Sequence, residues 1–165
     1  MNNYTIDGVS SPFESAIIKG DAKTVELTLR TDVITTDGLR NFTVSNVATG
    51  AGAVMDVKSG TYNFKENVRP TITGAKVTSS TTIEVTLSEA LATGTVGTDF
   101  DVFQGTSTTA LADTEAISGT NKVVITLATP LETLTGLTVK SSSTINLTDV
   151  NGNAVNFVGP IAVTN

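Results

Sequence analysis

A chain of 165 residues without His, Cys or Trp cannot build a Ser-His-Asp triad, a Cys-His pair, a Cys/His zinc site or haem ligation by His or Cys. Its net charge of −6, with only ten Lys and Arg spread along the chain, lacks the clustered positive charge that nucleic acid or an anionic membrane surface requires. Threonine supplies 31 residues, and Thr together with Val favours pleated, half-buried surfaces over helix interiors.

Taken in chain order, the predicted strands are 4–7, 25–29, 42–47, 55–57, 61–64, 72–77, 81–87, 100–103, 123–127, 145–148 and 155–163. The strongest are those of strict period two. Val25, Leu27 and Leu29 alternate with Thr24, Glu26 and Thr28, and Ile83, Val85 and Leu87 alternate with Thr82, Glu84 and Thr86. Val123, Ile125 and Leu127 repeat the arrangement. Such alternation sends branched residues to a core face and Thr or Glu to solvent. Clusters of Gly, Asn, Asp and Ser separate the runs as turns do. No window keeps a helical period, and only one-turn helices at 88–91 and 131–134 are expected. Many short strands with small connections predict an all-β protein built of antiparallel sandwiches. Phe13, Phe42, Phe64, Phe100, Phe103 and Phe157 are its expected core anchors.

The two halves resemble one another at a spacing of roughly 100 residues. Tyr4-Thr5-Ile6-Asp7-Gly8 matches the segment from Phe100 to Gly105, Ser15 to Gly20 matches Glu115 to Gly119, and Val25 to Leu29 matches Val123 to Leu127. Gly38-Leu39 matches Gly136-Leu137, and Asn46, Val47 and Gly52 match Asn146, Leu147 and Gly152. The second copy has two further strands, 72–77 and 81–87, ahead of its first match. Arg69-Pro70 marks the join, because Pro holds the preceding residue extended. The expected organisation is therefore a partial sandwich over 1–67, a short linker from Glu66 to Arg69, and a complete sandwich over 68–165. A module lacking two strands leaves ladder groups and part of its core open. About 67 residues without disulfide or metal are marginal alone. The missing strands are expected from upstream sequence or from another chain by strand addition. The start, Met1-Asn2-Asn3-Tyr4-Thr5, has no signal-peptide pattern, and no apolar run reaches the roughly 18 residues of a transmembrane helix. A piece of a larger protein fits the repeat better than a cytosolic chain.

The stretch from Arg69 to Val77 followed by Thr82-Ile83-Glu84-Val85-Thr86-Leu87-Ser88-Glu89-Ala90-Leu91 resembles the opening of bacterial Ig-like repeats in surface-layer (S-layer) proteins of Gram-positive bacilli. The segment from Asn146 to Asn153 looks like that family's closing Asp-x-x-Gly-Asn turn. The resemblance covers 68–165 and, in degraded form, 1–66. It implies tandem Ig-like sandwiches in an extracellular structural protein of the bacterial cell surface, self-associating with other S-layer subunits and flanked by further Ig-like domains. It also implies a possible Ca²⁺ that orders the domain string. The competing reading is an adhesin repeat or a carbohydrate-binding accessory module of a secreted protein. Catalysis is not expected. Two acids across a sugar cleft are needed for glycoside hydrolysis, and only Tyr4 and Tyr62 remain to stack on a sugar.

Two acidic sets are candidate Ca²⁺ ligands, since calcium takes six to eight oxygens from carboxylates, amides and carbonyls. In the turn Asp149-Val150-Asn151-Gly152-Asn153, the side chains of Asp149, Asn151 and Asn153 fall at alternate positions, and Gly152 permits a left-handed residue. The bland alternative is an Asx-rich turn holding no metal. One carboxylate is too few alone, and the EF-hand spacing is absent. The corresponding turn, Thr49-Gly50-Ala51-Gly52-Ala53, has no carboxylate and is expected to hold no metal. Asp99 and Asp101 flank Phe100 and could share a cation with Glu89 or Glu66, the bland alternative being a solvated strand edge. The Thr rows at 24/28 and 82/86 read as soluble surface or lattice contacts, where low charge lowers the cost of packing.

Overall fold

The computed structural model describes residues 2–94 and 96–165. It divides into two compact units, Met1–Val68 and Arg69–Asn165. All regular structure is β, and no helix occurs among the described residues. The expected turn of helix at 88–91 is replaced by an isolated bridge from Leu91 to Asp149, and residues 131–134 form bends and irregular chain.

The second unit contains β6 (Ile72–Ser79), β7 (Thr82–Leu87), β8 (Phe100–Gln104), β9 (Asp113–Ser118), β10 (Lys122–Leu127), β11 (Leu137–Ser141) and β12 (Ile161–Thr164). Their hydrogen-bonded order is β8-β11-β12-β6-β7-β10-β9. β12 is held by two residue pairs on each side, antiparallel to β11 and parallel to β6, the parallel contact being the junction of the two groups. There the order divides into a three-stranded layer, β8-β11-β12, and a four-stranded layer, β6-β7-β10-β9. Both layers contribute to one core, which includes Ile83, Val85, Val123 and Ile125 from the larger and Phe100, Val102, Leu137 and Val139 from the smaller. This four-against-three arrangement is that of an Ig-like sandwich. Period-two alternation explains it directly: in β7 and β10 every second residue is buried, while Thr82, Glu84 and Thr86 of β7 and Lys122, Val124 and Thr126 of β10 are not.

The first unit contains β1 (Tyr4–Ile6), β2 (Phe13–Ile18), β3 (Val25–Leu29), β4 (Gly38–Val44) and β5 (Lys58–Phe64). They form a sheet β1-β4-β5 and a separate hairpin β2-β3. The pairings β8-β11-β12 and β10-β9 of the second unit thus recur as β1-β4-β5 and β3-β2. Among the described residues, what has no counterpart is the hairpin β6-β7, which in the second unit joins the two groups. The first sandwich lacks its two opening strands.

The consequence is visible in the cores. Five of the second unit's buried apolar residues, Ala75, Val77, Ile83, Val85 and Leu87, come from that hairpin. The four larger ones contribute about 1.5–3 kcal/mol each. Among the described residues, the first unit's core cluster has three buried members, Ile6, Phe13 and Ile34, with Tyr4, Leu27, Leu29, Phe42 and Phe64 packed against them half-covered. Aromatic edges do much of the packing, with Phe13 against Phe42 at 5.9 Å and Phe42 against Tyr62 at 6.1 Å between ring centroids. Of the six Phe expected in the core, only Phe13 and Phe100 are buried. Phe103 faces outward under the Lys140 ammonium, 4.1 Å from the ring centre.

The segment read as a linker is structured at Asn67. Its backbone exchanges bonds with Asp32 and Ile34, its Oδ1 accepts from the amides of Val33 and Ile34, and its Nδ2 donates to the Arg30 carbonyl. Five bonds tie Asn67 to the loop between β3 and β4, so this residue is part of the first unit rather than a free connection.

Candidate cation turn and acidic row

The turn at 149–153 is closed by two backbone bonds, Asp149 N–H to the Asn153 carbonyl at 3.0 Å and Gly152 N–H to the Asp149 carbonyl at 3.2 Å. Gly152 has φ +91°, which strains any other residue. Bridge pairing of Thr148 with Ala154 continues the turn into a short ladder. Asp149 is buried, 1% exposed, and its carboxylate organises the loop. Oδ1 accepts the amides of Asn151 and Asn153, each at 2.8 Å, and Oδ2 accepts Asn153 Nδ2 at 2.8 Å. A buried carboxylate is tolerable only with such donors. Asn151 and Asn153 thus reach Asp149 through N–H groups.

The first unit builds the same turn. Thr49 N–H bonds to the Ala53 carbonyl, Gly52 N–H bonds to the Thr49 carbonyl, and Ala48 bridges Val54. Thr49 Oγ1 accepts the Ala53 amide at 3.2 Å, the role Asp149 Oδ1 plays toward Asn153. One backbone design is therefore closed by a hydroxyl in one copy and by a carboxylate in the other. The carboxylate has a neighbour that sequence spacing does not reveal. Glu89, just after β7, brings a carboxylate oxygen within 4.8 Å of one on Asp149, because Leu91 pairs with Asp149 and the Ala92 amide bonds to the Thr148 carbonyl.

Asp99 and Asp101 separate into different environments. Asp99 is fully buried, which corrects its reading as part of a solvated edge. Its Oδ1 accepts the Asn146 amide and its Oδ2 the Gly97 amide. Asp101 lies half-buried in β8 opposite Lys140 of β11. Their acidic companions are Asp113 and Glu115 on β9, brought close because Leu111 bridges Val102. Glu115 clamps the start of β8, accepting the amides of Asp99 at 3.1 Å and Phe100 at 2.7 Å. Burial, aided by the charges of Asp113 and Asp99, pushes the Glu115 carboxyl up to about 7 despite those two bonds. Burial and then Asp101 push Asp113 up to about 6. Within the row, Glu115 and Asp113 are the two acids held above the ordinary carboxylate range.

Acids with raised folded-state pKa values favour folding fully below their unfolded values near ~4, and lose that contribution as pH rises through about 6 and about 7. In the first unit, Thr24 Oγ1 and the Lys23 and Thr24 amides hold Asp21 down to about 2. The Glu66 amide and then Lys65 lower Asp37. These two contributions are present above ~4 and lost in acid. Thermal melts between pH 3 and 8 should therefore show the first unit weakening below pH 4, and the second unit strongest at about pH 4 and below and progressively weaker from there to pH 8. Asp113→Asn should flatten the second unit's dependence and raise its midpoint at pH 8 by a few degrees.

With this geometry in place, comparison with known proteins identifies the family: the model of the bacterial Ig-like domain matches residues 63–161. The chain belongs to this family. That match includes β6 to β11 of the complete sandwich and reaches the first residue of β12, and both acidic sets lie inside the bacterial Ig-like domain. No curated protein matches the chain. Among solved structures, the N-terminal part of the bacterial S-layer protein SbsC is similar at a TM-score of 0.47 and 21% identity. The similarity covers 58% of this chain and 23% of that one.

Proposed function

We propose that the chain is a structural, non-catalytic part of an extracellular bacterial surface protein of the S-layer type, in which rigid Ig-like modules in series associate laterally into a lattice. The observation that carries this reading is the tandem itself: a complete bacterial Ig-like sandwich preceded by a second copy of the same topology. The opening and closing motifs that resemble S-layer repeats support it, as do weakly charged Thr faces suited to packing between subunits. Electron microscopy of the full-length protein with calcium tests it. A two-dimensional lattice is expected. Persistently monomeric particles that bind a specific sugar on a glycan array would replace it with the adhesin reading.

Calcium belongs to the same proposal. Asp149 and Glu89 are hard oxygen donors of the type calcium prefers, and they are the carboxylates that would hold it. Millimolar Ca²⁺ should raise the melting midpoint of the second unit, by about 2.7 kcal/mol of stability at a hundredfold excess over Kd. Glu89→Gln should abolish the rise. An unchanged midpoint in wild type removes calcium from the account.

A further inference from the structure

In the second unit β10 is hydrogen-bonded on both sides, to β9 and to β7, and β12 likewise to β11 and β6. Among the described residues, their counterparts β3 and β5 are bonded on one side only, to β2 and β4. The two open edges flank an apolar groove of about 390 Å³ lined by Phe13, Leu27, Phe42, Tyr62 and Phe64. Tyr62 is 55% exposed there. The positions equivalent to Leu27 and Phe42 by register are Ile125 and Val139, both fully buried. The groove is thus the unfilled part of a sandwich core, and the other unit shows what fills it.

We infer that this groove is a docking site for an amphipathic β-hairpin supplied from outside these 165 residues, seated as β6-β7 is seated in the second unit. Its first strand would run parallel to β5 and its second antiparallel to β3. In the second unit Val85 stands opposite Val123 and Ile83 opposite Ile125. The donated strand would accordingly place branched apolar residues opposite Val25 and Leu27. Main-chain bonds to the two edges give affinity, and alternate side chains entering the groove give specificity. The chain's own such hairpin is already built into the second unit, so the occupant is a separate segment. The inference rests on topology and stands apart from the S-layer reading.

The test adds a synthetic peptide of residues 70–89 in excess to the full chain and follows melting and amide exchange. The first unit's midpoint should rise with peptide concentration, with new protection confined to Val25–Leu29 and Lys58–Phe64. A peptide carrying Ile83→Lys and Val85→Lys should do neither. Unchanged exchange in both strands at saturating peptide, or protection elsewhere, overturns the inference. Protection of the same strands that grows with chain concentration alone, without peptide, would put a second copy in the groove and overturn the external hairpin.

Discussion

Heating the chain is expected to produce two transitions, the first unit unfolding at least about 10 °C below the second. The two units share a topology except for one hairpin, so the difference isolates what that hairpin contributes. In the second unit it supplies a third of the buried apolar residues and bonds two strand edges. Among the described residues, the first unit's core cluster has three buried members, and Tyr4, Phe42 and Phe64 are only half-covered. Several kcal/mol of lost burial in a unit of this size corresponds to a gap of this order, at roughly 4–8 °C per kcal/mol. Differential scanning calorimetry with tryptophan-free near-ultraviolet detection of Tyr4 and Tyr62, both in the first unit, assigns the transitions. The tyrosine signal should change in the lower one. A single transition, or a tyrosine signal that follows the upper one, would refute the assignment.

A pair of substitutions at equivalent positions should have unequal costs. Ile125 is fully buried at the centre of β10, and Ile125→Ala removes its methyl and methylene groups and leaves a cavity between two layers that cannot collapse. The expected loss is about 2–5 kcal/mol. Leu27 holds the same place in β3 but borders the open groove. Leu27→Ala leaves no enclosed cavity there, and the expected loss is about 1 kcal/mol. Urea unfolding of the two variants, read separately for each unit, gives the comparison. Equal losses would mean that the groove is closed in solution.

Much of this architecture is legible in the residues, and the gaps have physical causes. Strict alternation makes β3, β7 and β10 plain. β9 is not, because its inward-facing residues Asp113 and Glu115 are acids held half-buried at the edge of the layer. The repeat is readable in order but misregistered in two places: opposite β3 and β10, Ile18 takes the place of Ile117 rather than Ile17, and the second slip is at Leu39. Gly38-Leu39 aligns with Gly136-Leu137 by identity, yet Leu39 is 73% exposed and Leu137 is buried. Ile6 pairs with Phe42 as Val102 pairs with Val139, so Phe42 takes the place of Val139. At the candidate sites, the 149–153 turn is local and its shape follows from sequence. Glu89 near Asp149, and Glu115 above Asp99, arise from contacts between strands distant in the chain, for which local spacing carries no signal. Burial of Asp99 is likewise set by the amides of Gly97 and Asn146 that converge on it.

Among the described residues, the first unit is an Ig-like sandwich with the edges of β3 and β5 open, and the second is complete. Native-state amide exchange measures it residue by residue. In the isolated chain, the amides of β3 and β5 that point away from β2 and β4 should exchange rapidly while their neighbours are protected. Both sets of amides in β10 should be slow, because that strand is bonded on two sides. Protection of every amide in β3 and β5 to the level of β10 would mean that both edges are covered in the isolated chain.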